Sequence, residues 1–206
     1  MLLKVCGLTR YEDVVFCDDL GVDLVGFIFF KKSPRYISVD KVKSFSTKNA
    51  KKVGVFVDHS AHEILQIVEY ANLDLVQLHG KYSETDCEKI GTHRIILTKW
   101  PDAYKDKNAF LNEIHRLSNK CLYFLFDAGI KGGGHGTKIK NISFLKAIPE
   151  EIKWIIAGGI SSNNIEDILC ELSPDGIDVN SGVEISKGIK DKDKIMGIYK
   201  KIKELR

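Results

Sequence analysis

Apolar positions along the chain follow two alternating patterns. Short runs rich in β-branched and aromatic residues recur at 2–6 (LLKVC), 24–30 (LVGFIFF), 53–57 (VGVFV), 74–78 (DLVQL), 94–98 (RIILT), 121–126 (CLYFLF), 153–157 (KWIIA) and 175–179 (DGIDV), and each predicts a β-strand. Between them the spacing changes to i, i+3, i+4, i+7, the mark of a helix with one apolar face. Ile64, Ile67, Val68 and Ala71 show it, as do Ile165, Ile168, Leu169 and Leu172, and Ile195, Ile198, Tyr199 and Ile202. Phe110, Leu111, Ile114 and Leu117 give a looser case. The strands are apolar at consecutive positions, as expected where both faces are covered, and regular β, α alternation calls for a parallel sheet with right-handed crossovers.

Eight such units close most economically into a (β/α)8 TIM barrel, for which 206 residues is lean. With 44% apolar residues and no low-complexity linker, residues 1–206 read as one barrel domain. The competing architecture is an open doubly wound sheet, but no GxGxxG follows the first strand.

Charge and cysteines narrow the partners. Lys+Arg 31 against Asp+Glu 28 leaves a net +3, and the basic residues are scattered, so no nucleic-acid partner is expected. Lys4, Arg10, Glu12 and Asp13 break the stretch where a signal peptide needs apolar residues, and the run from Leu24 to Phe30 is too short to span a bilayer. No membrane partner is expected, and the location read from this is cytoplasmic. Cys6, Cys17, Cys87, Cys121 and Cys170 form neither CxxC nor Cys/His metal spacing, and an odd count fits a reducing compartment.

A barrel carries its chemistry at the carboxyl ends of its strands. There the chain places Cys6-Gly7, Lys31 to Arg35, Asp58-His59, His79-Gly80, Lys99, Asp127, Gly158-Gly159 and Asp178 to Gly182. Cys6 ends the first strand and Asp127 the sixth, a thiol and a carboxyl suited to base and acid work across a pocket. An apolar surround would raise the Asp127 pKa and keep it protonated. Cys6 would need the opposite shift, since the thiolate is the reactive form and a free thiol titrates near ~8.5. A core filler and a loop carboxylate are the plainer readings of the two.

Ala157-Gly158-Gly159-Ile160 follows the seventh strand, with Ser161, Ser162, Asn163 and Asn164 placed to cap the next helix, and Asn180-Ser181-Gly182-Val183-Glu184 follows the eighth. Glycines beside small hydroxyl residues let backbone N–H groups approach an anion, and loops 7 and 8 are where barrels commonly hold a phosphate. Residues 129–138 are glycine-rich enough for a lid but carry no Walker A spacing. Arg35 suits bidentate pairing with a carboxylate or phosphate, although a surface arginine is the commoner case. His59 and His62 form an HxxH with no third ligand in view, and His93 and His115 read as surface residues.

With these positions assembled, the chain resembles the phosphoribosylanthranilate isomerase family along its whole length. The motifs are 4–9 (KVCGLT), 33–37 (SPRYI), 53–57 (VGVFV), 76–80 (VQLHG), Asp127 with the glycine-rich segment to 136, 157–160 (AGGI) and 176–184 (GIDVNSGVE). The resemblance implies an Amadori rearrangement of N-(5-phosphoribosyl)anthranilate, a small phosphorylated substrate, with no cofactor and no metal. By position it makes Asp127 the general acid, Cys6 the general base, and Arg35 the partner of the anthranilate end. His79 and Asp178 become pocket residues, and Gly158, Gly159, Ser181 and Gly182 grip the phosphate. The oligomer is left as monomer or homodimer. The chain departs from the family at 133–141 (GGHGTKIKN), which lacks the usual aromatic anchor after the glycines, and at Asn180, where serine is usual. Two alternatives stay open: another phosphate-gripping barrel enzyme, such as a metal-dependent sugar-phosphate epimerase or an indole-forming relative, and an idle barrel that binds a phosphorylated ligand or partner.

Overall fold

The apolar runs become strands β1 (Leu2–Val5), β2 (Leu24–Ile28), β3 (Lys51–Phe56), β4 (Leu75–Leu78), β5 (Ile95–Lys99), β6 (Tyr123–Phe126), β7 (Trp154–Ile156) and β8 (Gly176–Val179), paired in chain order and closed into one barrel. The computed structural model describes residues 1–128 and 139–204. All eight pairings are parallel, and closure is made by β1 against β8 with Leu2 opposite Gly176 and Lys4 opposite Asp178. The (β/α)8 barrel expected from the alternation is the observed fold.

Helices α1 (Tyr11–Leu20), α2 (Val39–Lys43), α3 (Ala61–Ala71), α4 (Glu84–Ile90), α5 (Lys107–Leu117), α6 (Ile142–Leu145), α7 (Ile165–Glu171) and α8 (Lys192–Glu204) surround it. Local chemistry sets their starts: Ser60 with Glu63 and Ser83 with Asp86 form capping boxes on α3 and α4, and Asp106 accepts from Ala109 N–H at the start of α5. α7 stops short of the predicted Leu172, which is extended because Ser173-Pro174 follows. α2 is a single short helix because the β2–α2 connection spends its residues on the Ser33 to Tyr36 loop, where Tyr36 bridges back to Ile28. A hairpin that the periodicity did not reveal, β9 (Glu184–Ser186) with β10 (Ile189–Lys190), turns through Gly188 at φ +82° and folds over the mouth of the barrel.

Strand alternation sorts the core into two compartments. Leu24, Val53, Leu75, Ile96, Leu125, Ile155 and Ala157 fill the barrel interior, whereas Leu3, Val5, Val25, Phe27, Phe56, Phe124 and Ile177 belong to the larger cluster under the helices. At the amino ends of the strands a repeated carboxylate device ties neighbours together. Asp23, Asp74 and Asp175, each just before a strand, accept the backbone N–H of Leu3, Lys52 and Trp154 on the preceding strand, all at 2.8 Å. No helix among the described residues is long and apolar enough to cross a membrane.

Candidate active site

Moving two residues along a strand returns to the same face. Two residues beyond the apolar interior layer the lining turns polar: Gln77 follows Leu75, Thr98 follows Ile96 and Asp127 follows Leu125. On the closing strands Lys4 and then Cys6 come from β1, and Asp178 from β8. These groups lie toward the carboxyl mouth, so the floor of the site is an apolar plug and its wall is hydrogen-bonding.

Cys6 is 4% exposed, and its backbone N–H donates to Val179 O at 2.9 Å. Burial pushes its thiol up; Lys4 and Lys190 pull the other way, and Asp178 adds to the rise. The downward shift that base work requires of Cys6 is therefore not supplied by its burial, because a sulfur so enclosed loses its hydration on ionising. Lys4 is fully buried with Nζ 3.0 Å from both Asp178 carboxylate oxygens, and its charge acts on the neighbouring Cys6 thiol. Burial alone would lower the Lys4 pKa, yet the Asp178 and Cys6 partners leave it raised.

Arg35 is not a surface residue. It is 4% exposed, and its Nε and Nη2 donate to Glu184 Oε1 and Oε2 at 2.8 and 2.7 Å. The paired carboxylate raises the Arg35 pKa against the effect of burial. Glu184 also accepts from Lys190 Nζ at 3.0 Å, and Lys190 reaches Asn180 Oδ1 at 2.9 Å. The Arg35 side chain passes over Gly7 (φ +70°), where a Cβ would lie 2.7 Å from Arg35 Cδ and from Asn180 Oδ1. A glycine is required after Cys6 both for its backbone angle and for this crossing.

On the opposite wall His79 Nε2 faces Asp127 Oδ2 at 3.8 Å. Gln77 Nε2 is 3.4 Å from His79 Nδ1, and with the amide donating to Nδ1 the imidazole hydrogen lies on Nε2, toward the carboxylate. Burial, reinforced by Lys4 and opposed by Asp178, drives the imidazole down to about 4, so it is neutral at physiological pH. Trp100 packs edge-on against it at 5.4 Å, and Lys99 is held by Glu113 at 3.0 Å. Asp127 and Asp178 sense each other's charge, and this links the two walls electrostatically. Gln77 Oε1, Thr98 Oγ1 and Trp100 Nε1 are buried without a hydrogen-bond partner among the described residues, as befits groups around a ligand pocket.

Loops 7 and 8 meet. Gly158 and Gly159 adopt φ +99° and +63°, and Gly182 abuts the Ile160 carbonyl. Asn164 stands at the N-cap of α7 but makes no side-chain cap bond. It ties the loop together instead, accepting from Ser161 N–H at 2.8 Å and donating to Gly159 O at 3.0 Å, which corrects the capping expectation. Ser181 opens a short turn, Ser181–Val183, beside them. The lid expected at 129–138 lies outside the described residues. Where the described chain resumes, Ile139 is buried, and Asp102 accepts the N–H groups of Lys140 and Asn141 at 3.0 and 2.9 Å.

His59 packs edge-on against Phe56 while His62 is exposed, and no cluster of three or more metal-ligating side chains occurs among the described residues. His93 and His115 are exposed, beside a groove with Thr92, Ser118, Leu122 and Lys153. That groove lies at the amino ends of β5 to β7, the face that in such barrels serves stability. Lys4, Gln77, Thr98, Trp100, Glu184 and Lys190 were missed as site residues. A lysine inside an apolar strand, in phase with Cys6, is the signal that marks Lys4.

A model of the family described as "N-(5'phosphoribosyl)anthranilate (PRA) isomerase" matches residues 3–201. The N-(5'-phosphoribosyl)anthranilate isomerase of Maridesulfovibrio salexigens is 41% identical over 199 residues, covering 97% of each chain. A phosphoribosylanthranilate isomerase crystallised with reduced 1-(o-carboxyphenylamino)-1-deoxyribulose 5-phosphate superposes with a TM-score of 0.83 at 28% identity, covering 99% of this chain and 100% of that one. Monomers of the dimeric Thermotoga maritima enzyme superpose at 0.81 with 28% identity, covering 98% of both chains.

Proposed function

Because the chain belongs to the N-(5′-phosphoribosyl)anthranilate isomerase family of tryptophan biosynthesis, we propose that it performs the Amadori rearrangement with Asp127 as general acid and Cys6 as general base. The product is 1-(2-carboxyphenylamino)-1-deoxyribulose 5-phosphate, the compound whose reduced form is bound in a structural relative.

Asp127 gives its proton to the furanose ring oxygen, the C1′–O bond breaks, and the nitrogen lone pair forms an iminium. Cys6, as thiolate, removes the C2′ proton, and the electrons flow to the iminium to give an enolamine. Loss of the 2′-hydroxyl proton and protonation at C1′ then yield the ketone. C1′ is reduced as C2′ is oxidised, so the electrons balance within the substrate. Arg35 meets the anthranilate carboxylate, His79 and Asp178 line the pocket, and Gly158, Gly159, Ser181 and Gly182 receive the phosphate.

The observation that carries this reading is the joined network across the barrel mouth: Cys6 beside Lys4, Lys4 bonded to Asp178, and Asp178 coupled to Asp127, which faces His79. Such an arrangement supports acid and base work on opposite sides of one substrate. Cys6→Ala and Asp127→Asn are each expected to lower kcat by orders of magnitude with folding intact. Near-normal turnover in either removes that residue from its role.

A further inference from the structure

The proton transfers above leave Lys4 without a task, although it is a fully buried cation two residues before the base. Both side chains leave the same face of β1 and enter the barrel. Gly26, on the neighbouring strand, clears the place where they converge. A Cβ there would lie 2.9 Å from Cys6 Sγ and 3.2 Å from Lys4 Nζ.

An ammonium has three donors and no acceptor. Two reach the Asp178 oxygens at 3.0 Å each, which leaves a third on the side where Cys6 Sγ converges. Asp178 sits directly opposite Lys4 in the β1–β8 register, so closure of the barrel itself sets the pair. Deprotonating Cys6 places an anion where water cannot stabilise it, and a fixed cation in contact is the usual remedy. The charges facing Cys6 are Lys4 and Asp178 from the closing strands, Lys190 from β10 and Arg35 from the β2–α2 loop. Arg35 and Lys190 are both engaged by Glu184. Lys4 is the cation whose Nζ converges with the sulfur at Gly26.

We propose that Lys4 is a positioning residue that fixes the Cys6 sulfur and supplies the counter-charge of its thiolate, while Asp178 anchors the ammonium. This rests on Cys6 being the base. It explains how a buried thiol serves as one: the cost of ionising it is offset by a cation already in place.

The test compares wild type with Lys4→Met. Because that change strands Asp178 as a buried carboxylate, the double variant Lys4→Met/Asp178→Asn, which removes both charges, is measured beside it. Cys6 ionisation is followed by ultraviolet thiolate absorbance, taken as a difference against Cys6→Ser in each background, together with the pH profile of kcat. In Lys4→Met the Cys6 titration is expected to move up by at least about one pH unit, and in the double variant, which also loses the Asp178 charge that raises it, by less but in the same direction. Neutral-pH kcat falls about tenfold or more and recovers as the pH is raised. An unchanged Cys6 titration in a folded variant, with turnover still dependent on Cys6, overturns the role of Lys4 alone. Near-normal turnover in Cys6→Ala overturns the base assignment, and the role of Lys4 with it.

Discussion

Gly182 faces the carbonyl of Ile160 so closely that a Cβ at position 182 would lie 1.9 Å from that oxygen. The loops after β7 and β8 therefore share one wall, and its backbone N–H groups are available only while residue 182 lacks a side chain. Gly182→Ala forces the two loops apart. KM for the phosphorylated substrate is expected to rise about tenfold or more, equivalent to about 1.4 kcal/mol of lost binding, with a smaller change in kcat. Steady-state kinetics check this, and an unchanged KM would remove Gly182 from the phosphate site.

Arg35 and Glu184 bring together the β2–α2 loop and the β9–β10 hairpin, and Lys190 shares the carboxylate. Glu184→Gln keeps the shape but leaves two buried cations without their counter-charge. Breaking one side of such a pair costs about 3–5 kcal/mol. A lower denaturation midpoint is expected together with a higher KM, since Arg35 loses the partner that aims it. Denaturant titration and kinetics on the same preparation separate the two effects.

His79 predicts an acid sensitivity. Its folded pKa is lowered to about 4, while in the unfolded chain it titrates near ~6.5. Between these values the unfolded state binds a proton that the folded state refuses, so stability falls as the pH falls through this window. The contribution is fully present above the unfolded value, amounts to about 3 kcal/mol at most, and is lost once the pH passes below the folded one. His79→Gln should flatten the stability profile between pH ~6.5 and ~4. Urea midpoints across that range test it, and parallel curves for the two proteins would refute it.

At the other end of the barrel, Asp74 accepts the Lys52 N–H and has no part in the chemistry. Asp74→Ala leaves that strand-end donor without its carboxylate and should cost about 1–3 kcal/mol of stability. Turnover below the unfolding range should stay near wild type, and a large loss of kcat in the folded variant would contradict the division between the two faces.

The fold was legible because eight apolar runs and the helical spacings between them admit few closed arrangements. The strand-end positions of Cys6 and Asp127 were legible too, as polar residues that end apolar runs. Lys4, Gln77 and Thr98 were not, since a polar residue within a strand shows its direction only once the strand phase and barrel closure are known. The Arg35–Glu184 pair spans 149 positions of sequence, and no local pattern announces it. The electrostatics of the thiol were not legible for a related reason: burial of Cys6 depends on the hairpin and the closing strand, neither of which periodicity positions. Asn164 looked like a cap by its type and place, but the Gly159 carbonyl and Ser161 N–H claimed its side chain.

The most direct measurement of the central claim follows the decay of anthranilate fluorescence when freshly prepared N-(5′-phosphoribosyl)anthranilate meets the purified protein in the presence of a metal chelator. The account predicts rapid loss, proportional to protein concentration and abolished in Cys6→Ala. Loss no faster than the uncatalysed background, with the protein shown to be folded, would contradict it.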